Sequence, residues 1–118
     1  MPDISGLIDR AILLFNAARY FEAHELFEDL WRASTGERRL AYQGLVQVCA
    51  GLVKHQRGQP GPAVTLLARG LAKVSSSSSG CQTGLDLDRL AAGVRCAIDA
   101  LQAGLPFDPP VMARARQT

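Results

Sequence analysis

Apolar side chains recur every three or four residues along nearly the whole chain, which is the spacing of one face of an α-helix. Between these stretches lie glycine, proline and serine, the residue types that end helices and form turns. No segment of useful length alternates between apolar and polar residues, as a half-buried strand would. The pattern therefore predicts an all-α protein.

Start and stop signals divide the chain into five helices. Gly36 and Gly58 stand where a helix needs a residue with free backbone conformation at its C-terminal turn. Pro60 and Pro62 stand where a helix begins, because the first turn tolerates residues without an N–H donor. The expected helices run from a cap at Asp3 or Ser5 to about residues 16–19, then over about 20–34, 37–57 and 60–75, and from a cap at Thr83 or Asp86 to Gly104.

The length of 118 residues fits a single helical domain over residues 1–118. The first four helices are expected to form two antiparallel hairpins similar to tetratricopeptide units, with the fifth helix as a C-terminal cap. The evidence for these hairpins is a repeated spacing of large and small residues. It is found in Tyr20, Ala23, Phe27 and Leu30, and about 40 residues later in Ala63, Leu67 and Gly70. Chance placement of small residues at helix contacts explains this spacing equally well.

Two segments fall outside the helical pattern. The serine-rich run over residues 75–80 has the composition of a flexible linker. The tail over residues 106–118 contains several prolines and arginines, and it is expected to be extended or frayed. Neither segment is expected to carry chemistry.

The composition excludes some classes of function. The net charge is +2 and eleven arginines are scattered among eleven acidic residues, so a strongly basic nucleic-acid arm is excluded and association with nucleic acid is a less favoured alternative. No apolar run approaches about 18 residues, so no membrane span is expected. Three separated cysteines do not indicate a disulfide framework, and a cytoplasmic location is expected. Cys49 and Cys96 stand at apolar helix positions, where thiols are usually buried and inert.

One polar pair stands out on the second predicted helix. His24 and Glu28 lie one turn apart at the edge of an apolar face and beside Trp31, whereas Glu25 points towards water. A charge-assisted hydrogen bond between His24 and Glu28 would let both enter a helix interface, and such bonds contribute about 1.5–3 kcal/mol.

The third predicted helix is apolar on most of its circumference, with one narrow stripe of Gly44, Gln47, Gly51 and His55. Glycine inside a helix costs about 1 kcal/mol, so this stripe predicts close approach by another helix or by a ligand. If the second helix packs there, His24 and Glu28 meet Gln47 and His55. The predicted polar cluster comprises His24, Glu28, Trp31, Arg38, Gln43, Gln47 and His55.

Several motifs in order resemble a known family. They are Phe15-Asn16, Tyr20-Phe21-Glu22-Ala23-His24-Glu25 with Glu28 and Trp31, Arg38 with Gln43-Gly44-Leu45-Val46-Gln47, His55 with Arg57-Gly58, and Gly61-x-Ala63 with Leu66-Leu67. Over about residues 7–74 the chain resembles the domain of unknown function 309 family. The resemblance implies an all-helical protein of a kind found mainly in bacteria and archaea, and it implies no established activity.

Two functions of different classes follow from these residues, besides the less favoured association with nucleic acid. The favoured one is a small binding or assembly module, in which Trp31 or Tyr42 anchors a protein partner or the first or fifth helix forms a homodimer. The alternative is a metal-dependent hydrolase, because His-Glu-x-x-Glu resembles the zincin motif. In that case His24, Glu28 and His55 would bind a divalent zinc, iron or manganese ion, and Glu25 would act as the base. Whether the protein is an enzyme is left open.

Overall fold

The sequence pattern is confirmed by a computed structural model, which describes residues 3–77 and 83–116. Throughout these residues the regular elements are helices, and the only β contact is a single bridge between Leu85 and Arg114. The helices are α1 (Ile4–Asn16), α2 (Tyr20–Arg32), α3 (Gly36–Gln56), α4 (Pro60–Ser76) and α5 (Leu87–Ala103).

The helix ends follow from local chemistry. The Asp3 carboxylate accepts a hydrogen bond from the backbone N–H of Ser5, and the Asp86 carboxylate accepts one from that of Arg89, so aspartate caps both α1 and α5. Gly104 ends α5 in the left-handed conformation, with φ of 68°. Ala18 adopts φ of 62° in the turn between α1 and α2, which sequence patterns do not reveal.

Each helix packs against the next one along the chain, and α3 lies against both α2 and α4. The two expected hairpins, α1–α2 and α3–α4, are therefore present, and α5 covers α4. Their similarity to tetratricopeptide units stays a prediction. A single core joins all five helices and the tail, and its members include Phe15, Phe27, Leu45, Leu67, Val94 and Met112.

The glycine stripe of α3 faces α4. A Cβ atom placed on Gly44 would lie 2.9 Å from the carbonyl oxygen of Gly70, and one placed on Gly51 would lie 2.9 Å from Cγ of Leu67. The Gln47 side chain accepts a hydrogen bond of 2.8 Å from Nζ of Lys73, also on α4. The predicted close approach is present, but α4 rather than α2 makes it.

The C-terminal tail is extended, as expected, and is held rather than frayed up to Arg116. Met112 is only 2% exposed, and its backbone makes two hydrogen bonds with the side-chain amide of Asn16. Arg114 forms a 2.7 Å ion pair with Asp9. Hydrogen bonds and an ion pair between residues about a hundred positions apart in the sequence therefore bind the tail to α1.

Ser75 and Ser76 complete α4, so the helix continues into the serine-rich run. The rest of the predicted linker after Ser77, together with Cys81, lies outside the described residues. None of the helices described here has the length and apolar character needed to cross a membrane.

Candidate functional site

The His24–Glu28 pair lies on the side of α2 that borders α3. The distance from His24 Nε2 to Glu28 Oε1 is 3.4 Å, and the side chains are 23% and 34% exposed. Oε2 of Glu28 also lies 3.5 Å from a guanidinium nitrogen of Arg32. The contact is long and open to water. Its contribution to the free energy of unfolding is therefore roughly 0.3–0.5 kcal/mol, as for a surface pair on a helix. This is less than the contribution expected of a buried charge-assisted hydrogen bond.

The other ring nitrogen of His24 is in an unusual position. Nδ1 is buried and has no hydrogen-bond partner within residues 3–77 and 83–116. One face of the ring stacks on Phe21, with the ring centroids 6.0 Å apart. Leaving a buried polar atom unpaired costs about 1–3 kcal/mol, so such an atom calls for an explanation by water or by a ligand.

His24 lines a cleft of about 170 Å³ between α2 and α3. Among the residues that the structure describes, three apolar and three basic side chains form its wall, and no carboxylate takes part. We call this the α2–α3 cleft, and its residues are Phe21, His24, Ala50, Val53, Lys54 and Arg57.

The cleft contains two cationic side chains, Lys54 and Arg57, whose charges no carboxylate of the described residues compensates. The side chains of Lys54 and Arg57 form no ion pair or hydrogen bond with the part of the chain that the structure describes. Both lie at the C-terminal end of α3, where cations are favoured by the helix dipole. Beside them Phe21 is 57% exposed, although most aromatic side chains of this size are buried. The cleft therefore joins positive charge to exposed apolar surface.

The remaining members of the predicted cluster are Trp31 on α2 and Arg38 and Gln43 on α3. Trp31 is half-buried against the core, and the Arg39 guanidinium lies 4.4 Å above its ring. Arg38 and Gln43 are partly buried on α3. Tyr42 is buried and stacks on Phe27, so the prediction that it anchors a partner at the surface is wrong.

The predicted convergence of His24 and Glu28 with Gln47 and His55 is wrong. Gln47 bonds to α4, and the exposed His55 ring lies 4.8 Å from the ring of Phe107 in the tail. The physical reason is that α3 presents its glycine stripe to α4 and a different side to α2.

The metal set expected from the zincin resemblance is not assembled. No three His, Cys, Asp or Glu side chains of the described residues lie close enough together to hold one ion. His24 and Glu28 face each other, but His55 lies with the tail, and Glu25 is exposed. The pair alone supplies two ligand side chains, which is fewer than the three or four protein ligands of a zinc site.

The two described cysteines have different surroundings. Cys49 is buried, and burial raises the pKa of its thiol far above the ordinary value, so Cys49 is an inert core residue. Burial also raises the pKa of Tyr20, and the neighbouring Cys49 adds to that shift. Cys96 is exposed, so the expectation that it is buried is wrong.

Sequence reasoning missed four cleft residues: Ala50, Val53, Lys54 and Arg57. Three- and four-residue steps place them on one side of α3, but that side could be identified as open only once α2 and α4 had been positioned. A signal for Phe21 was available, because it lies outside the apolar stripe formed by Tyr20, Ala23 and Phe27.

His24→Leu is expected to change the free energy of unfolding by less than about 1 kcal/mol. The weak pair with Glu28 is lost, but a buried nitrogen without a partner is removed as well. Urea unfolding followed by circular dichroism measures the difference. A loss of more than about 2 kcal/mol would contradict this expectation and would make His24 a structural residue.

Fold and cleft together define a small all-helical protein with a basic, partly apolar cleft between its second and third helices. Residues 8–66 match the family model described as Domain of unknown function (DUF309), which spans half of the chain. The protein belongs to this family, and every cleft residue lies within the matched segment. No curated protein matches the chain.

Proposed function

We propose that the protein is a binding module, and that its α2–α3 cleft receives an anionic group carried on a short apolar stem. The observation that carries the proposal is the cleft wall, in which the described lining residues are the basic His24, Lys54 and Arg57 together with three apolar residues and no carboxylate. A carboxylate or phosphate group of a ligand would supply the compensation that Lys54 and Arg57 lack within the described chain.

The unpaired nitrogen of His24 supports the same proposal. Glu28 lies beside Nε2, so Nδ1 is the ring nitrogen left for another partner. In the imidazolium form, Nε2–H donates to Glu28 and Nδ1–H would donate to the carboxylate of an occupant. Such binding would remove the cost of the unpaired nitrogen.

The dimensions of the cleft limit the occupant. Sites for drug-sized molecules commonly measure about 300–1,000 Å³, whereas this cleft measures about 170 Å³. The space suits a small acid or one side chain of a partner rather than a drug-sized molecule. The proposal is therefore a module that recognises a side chain or a small acid.

The test is a titration of ¹⁵N-labelled protein with three matched probes, 3-phenylpropionate, 3-phenylpropanol and 3-phenylpropylamine. The acid is expected to shift the amide signals of Phe21, His24, Val53 and Lys54 with a Kd of roughly 0.1–10 mM, as ligands of this size do. The alcohol is expected to bind more weakly, and the amine is expected to leave the same signals unchanged because the cleft is basic.

Variants assign the effect to the cleft. Lys54→Ala combined with Arg57→Ala should weaken binding of the acid about tenfold or more, because both charges that face the ligand are lost. Arg69→Ala is the control, since Arg69 is an exposed cation on α4 and does not line the cleft. Equal binding of the acid and the amine, or equal loss in the control variant, would refute the proposal.

A further inference from the structure

We infer that the natural occupant of the α2–α3 cleft is a second copy of this chain, which enters through the exposed side of α2. This inference rests on the proposed function, because it names the partner of the same cleft. The exposed side of α2 carries Phe21, Glu25 and Asp29 at four-residue spacing, and we call these three residues the α2 ridge.

The α2 ridge has the chemistry that the cleft accepts. Phe21 is an exposed aromatic side chain, and Glu25 and Asp29 are exposed carboxylates on the same side of the helix. Glu25 makes no hydrogen bond or ion pair with any residue that the structure describes, and Asp29 makes only a 3.7 Å contact with Arg32. Lys54 and Arg57 of the cleft are the complementary unpaired cations. The charges on the two surfaces are therefore opposite, and among the described residues Asp29 alone of these four side chains has a partner, Arg32.

The placement of the two surfaces suits a twofold dimer. Phe21 belongs to both the ridge and the cleft, so the two surfaces adjoin on one face of the molecule. When two copies meet through a twofold axis, the same patch on each copy faces its counterpart. The ridge of one copy then lies over the cleft of the other, and this contact occurs twice. Two exposed Phe21 side chains are buried at the same time.

This dimer would also complete the site. Within the described residues of the single chain, His24 Nδ1 is buried without a partner, and Lys54 and Arg57 form no ion pair. A ridge carboxylate from the second copy would bring acceptor oxygens to His24, Lys54 and Arg57 together. The face expected to pair is thus α2–α3, not α1 or α5 as the apolar pattern alone had indicated.

Complementary charge reversals test the inference. The ridge variant carries Glu25→Lys and Asp29→Lys, and the cleft variant carries Lys54→Glu and Arg57→Glu. Sedimentation equilibrium at up to roughly 1 mM protein is expected to show dimers of the unmodified chain and monomers of either variant alone, because like charges meet twice. An equimolar mixture of the two variants is expected to dimerise, because each ridge then faces a cleft of opposite charge.

The control variant carries Arg69→Glu and Arg89→Glu, two exposed cations outside both surfaces, and it changes the net charge by the same amount as the cleft variant. It should dimerise as the unmodified chain does. Circular dichroism of every variant checks that the helices are retained. If a variant does not fold, a second measurement on the unmodified chain applies: 3-phenylpropionate should compete for the cleft and dissociate the dimer.

Three results would overturn the inference. The first is an unmodified chain that stays monomeric at about 1 mM, the upper limit of the experiment. The second is a mixture of folded variants that stays monomeric, and the third is a dimer that saturating 3-phenylpropionate leaves intact. A monomer whose cleft still binds the acid would remove the second copy as the partner and would retain the proposed function. A monomer that does not bind the acid would remove both.

Discussion

Gly70→Ala is expected to lower the free energy of unfolding by about 1–3 kcal/mol, the usual cost of an added methyl group in a packed interior. A Cβ atom at this position would lie 2.6 Å from the carbonyl oxygen of Gly44 and 2.8 Å from Cγ2 of Val48. Because the carbonyl belongs to the backbone of α3, the two helices must move apart to admit the methyl group. The intrinsic helix preference of alanine over glycine, about 1 kcal/mol, acts in the opposite direction.

Gly6→Ala on α1 is the control. Among the described residues outside its own helix backbone, the nearest atoms to the place where its Cβ would stand belong to the Asp3 side chain at 3.9 Å, an ordinary van der Waals distance. This variant should be as stable as the unmodified chain or up to about 1 kcal/mol more stable. Urea unfolding measures both variants. Equal stability of the two variants would show that α3 and α4 are not in close contact at Gly44 and Gly70.

The glycine stripe shows how far sequence reasoning reaches. Helical periodicity places Gly44 and Gly51 on one side of α3, and their cost in a helix interior predicts close approach. The pattern does not say which helix approaches, because α2 and α4 both carry apolar stripes that need a partner. The contact with Gly70 is between residues 26 positions apart, and it becomes visible only in three dimensions.

The same distinction applies to the candidate site. The pairing of His24 with Glu28 is local, since residues four apart on a helix are neighbours, and sequence reasoning predicted it. Lys54 and Arg57 depend on the side of α3 that α2 and α4 leave open, and sequence reasoning missed them. His55 was assigned to the wrong neighbour because the position of Phe107 in the tail has no periodic signal.

The candidate site departs from two general features of folded proteins, the burial of aromatic side chains and the pairing of buried polar atoms. An aromatic side chain is usually buried, and a buried nitrogen usually has a partner. Phe21 is nevertheless exposed, and His24 Nδ1 has no partner in the described part of the chain. Departures from these rules tend to occur at functional sites, where binding supplies the missing contact. Two such departures on adjoining side chains of α2 favour a binding surface over a purely structural role.

Met112→Ala is expected to lower the free energy of unfolding by about 2–4 kcal/mol. Met112 is 2% exposed and belongs to the core shared by all five helices, so truncation leaves a cavity. Its backbone hydrogen bonds to Asn16 persist in the variant, which confines the loss to the side chain. Thermal and urea unfolding of purified protein measure the change.

Val111→Ala is the control for this prediction, because Val111 precedes Met112 and is 45% exposed. Its replacement should change stability by less than about 0.5 kcal/mol. A small effect of both substitutions would mean that the tail is frayed, as its proline-rich sequence first indicated. A large effect of Met112→Ala alone would establish that the last described segment completes the core.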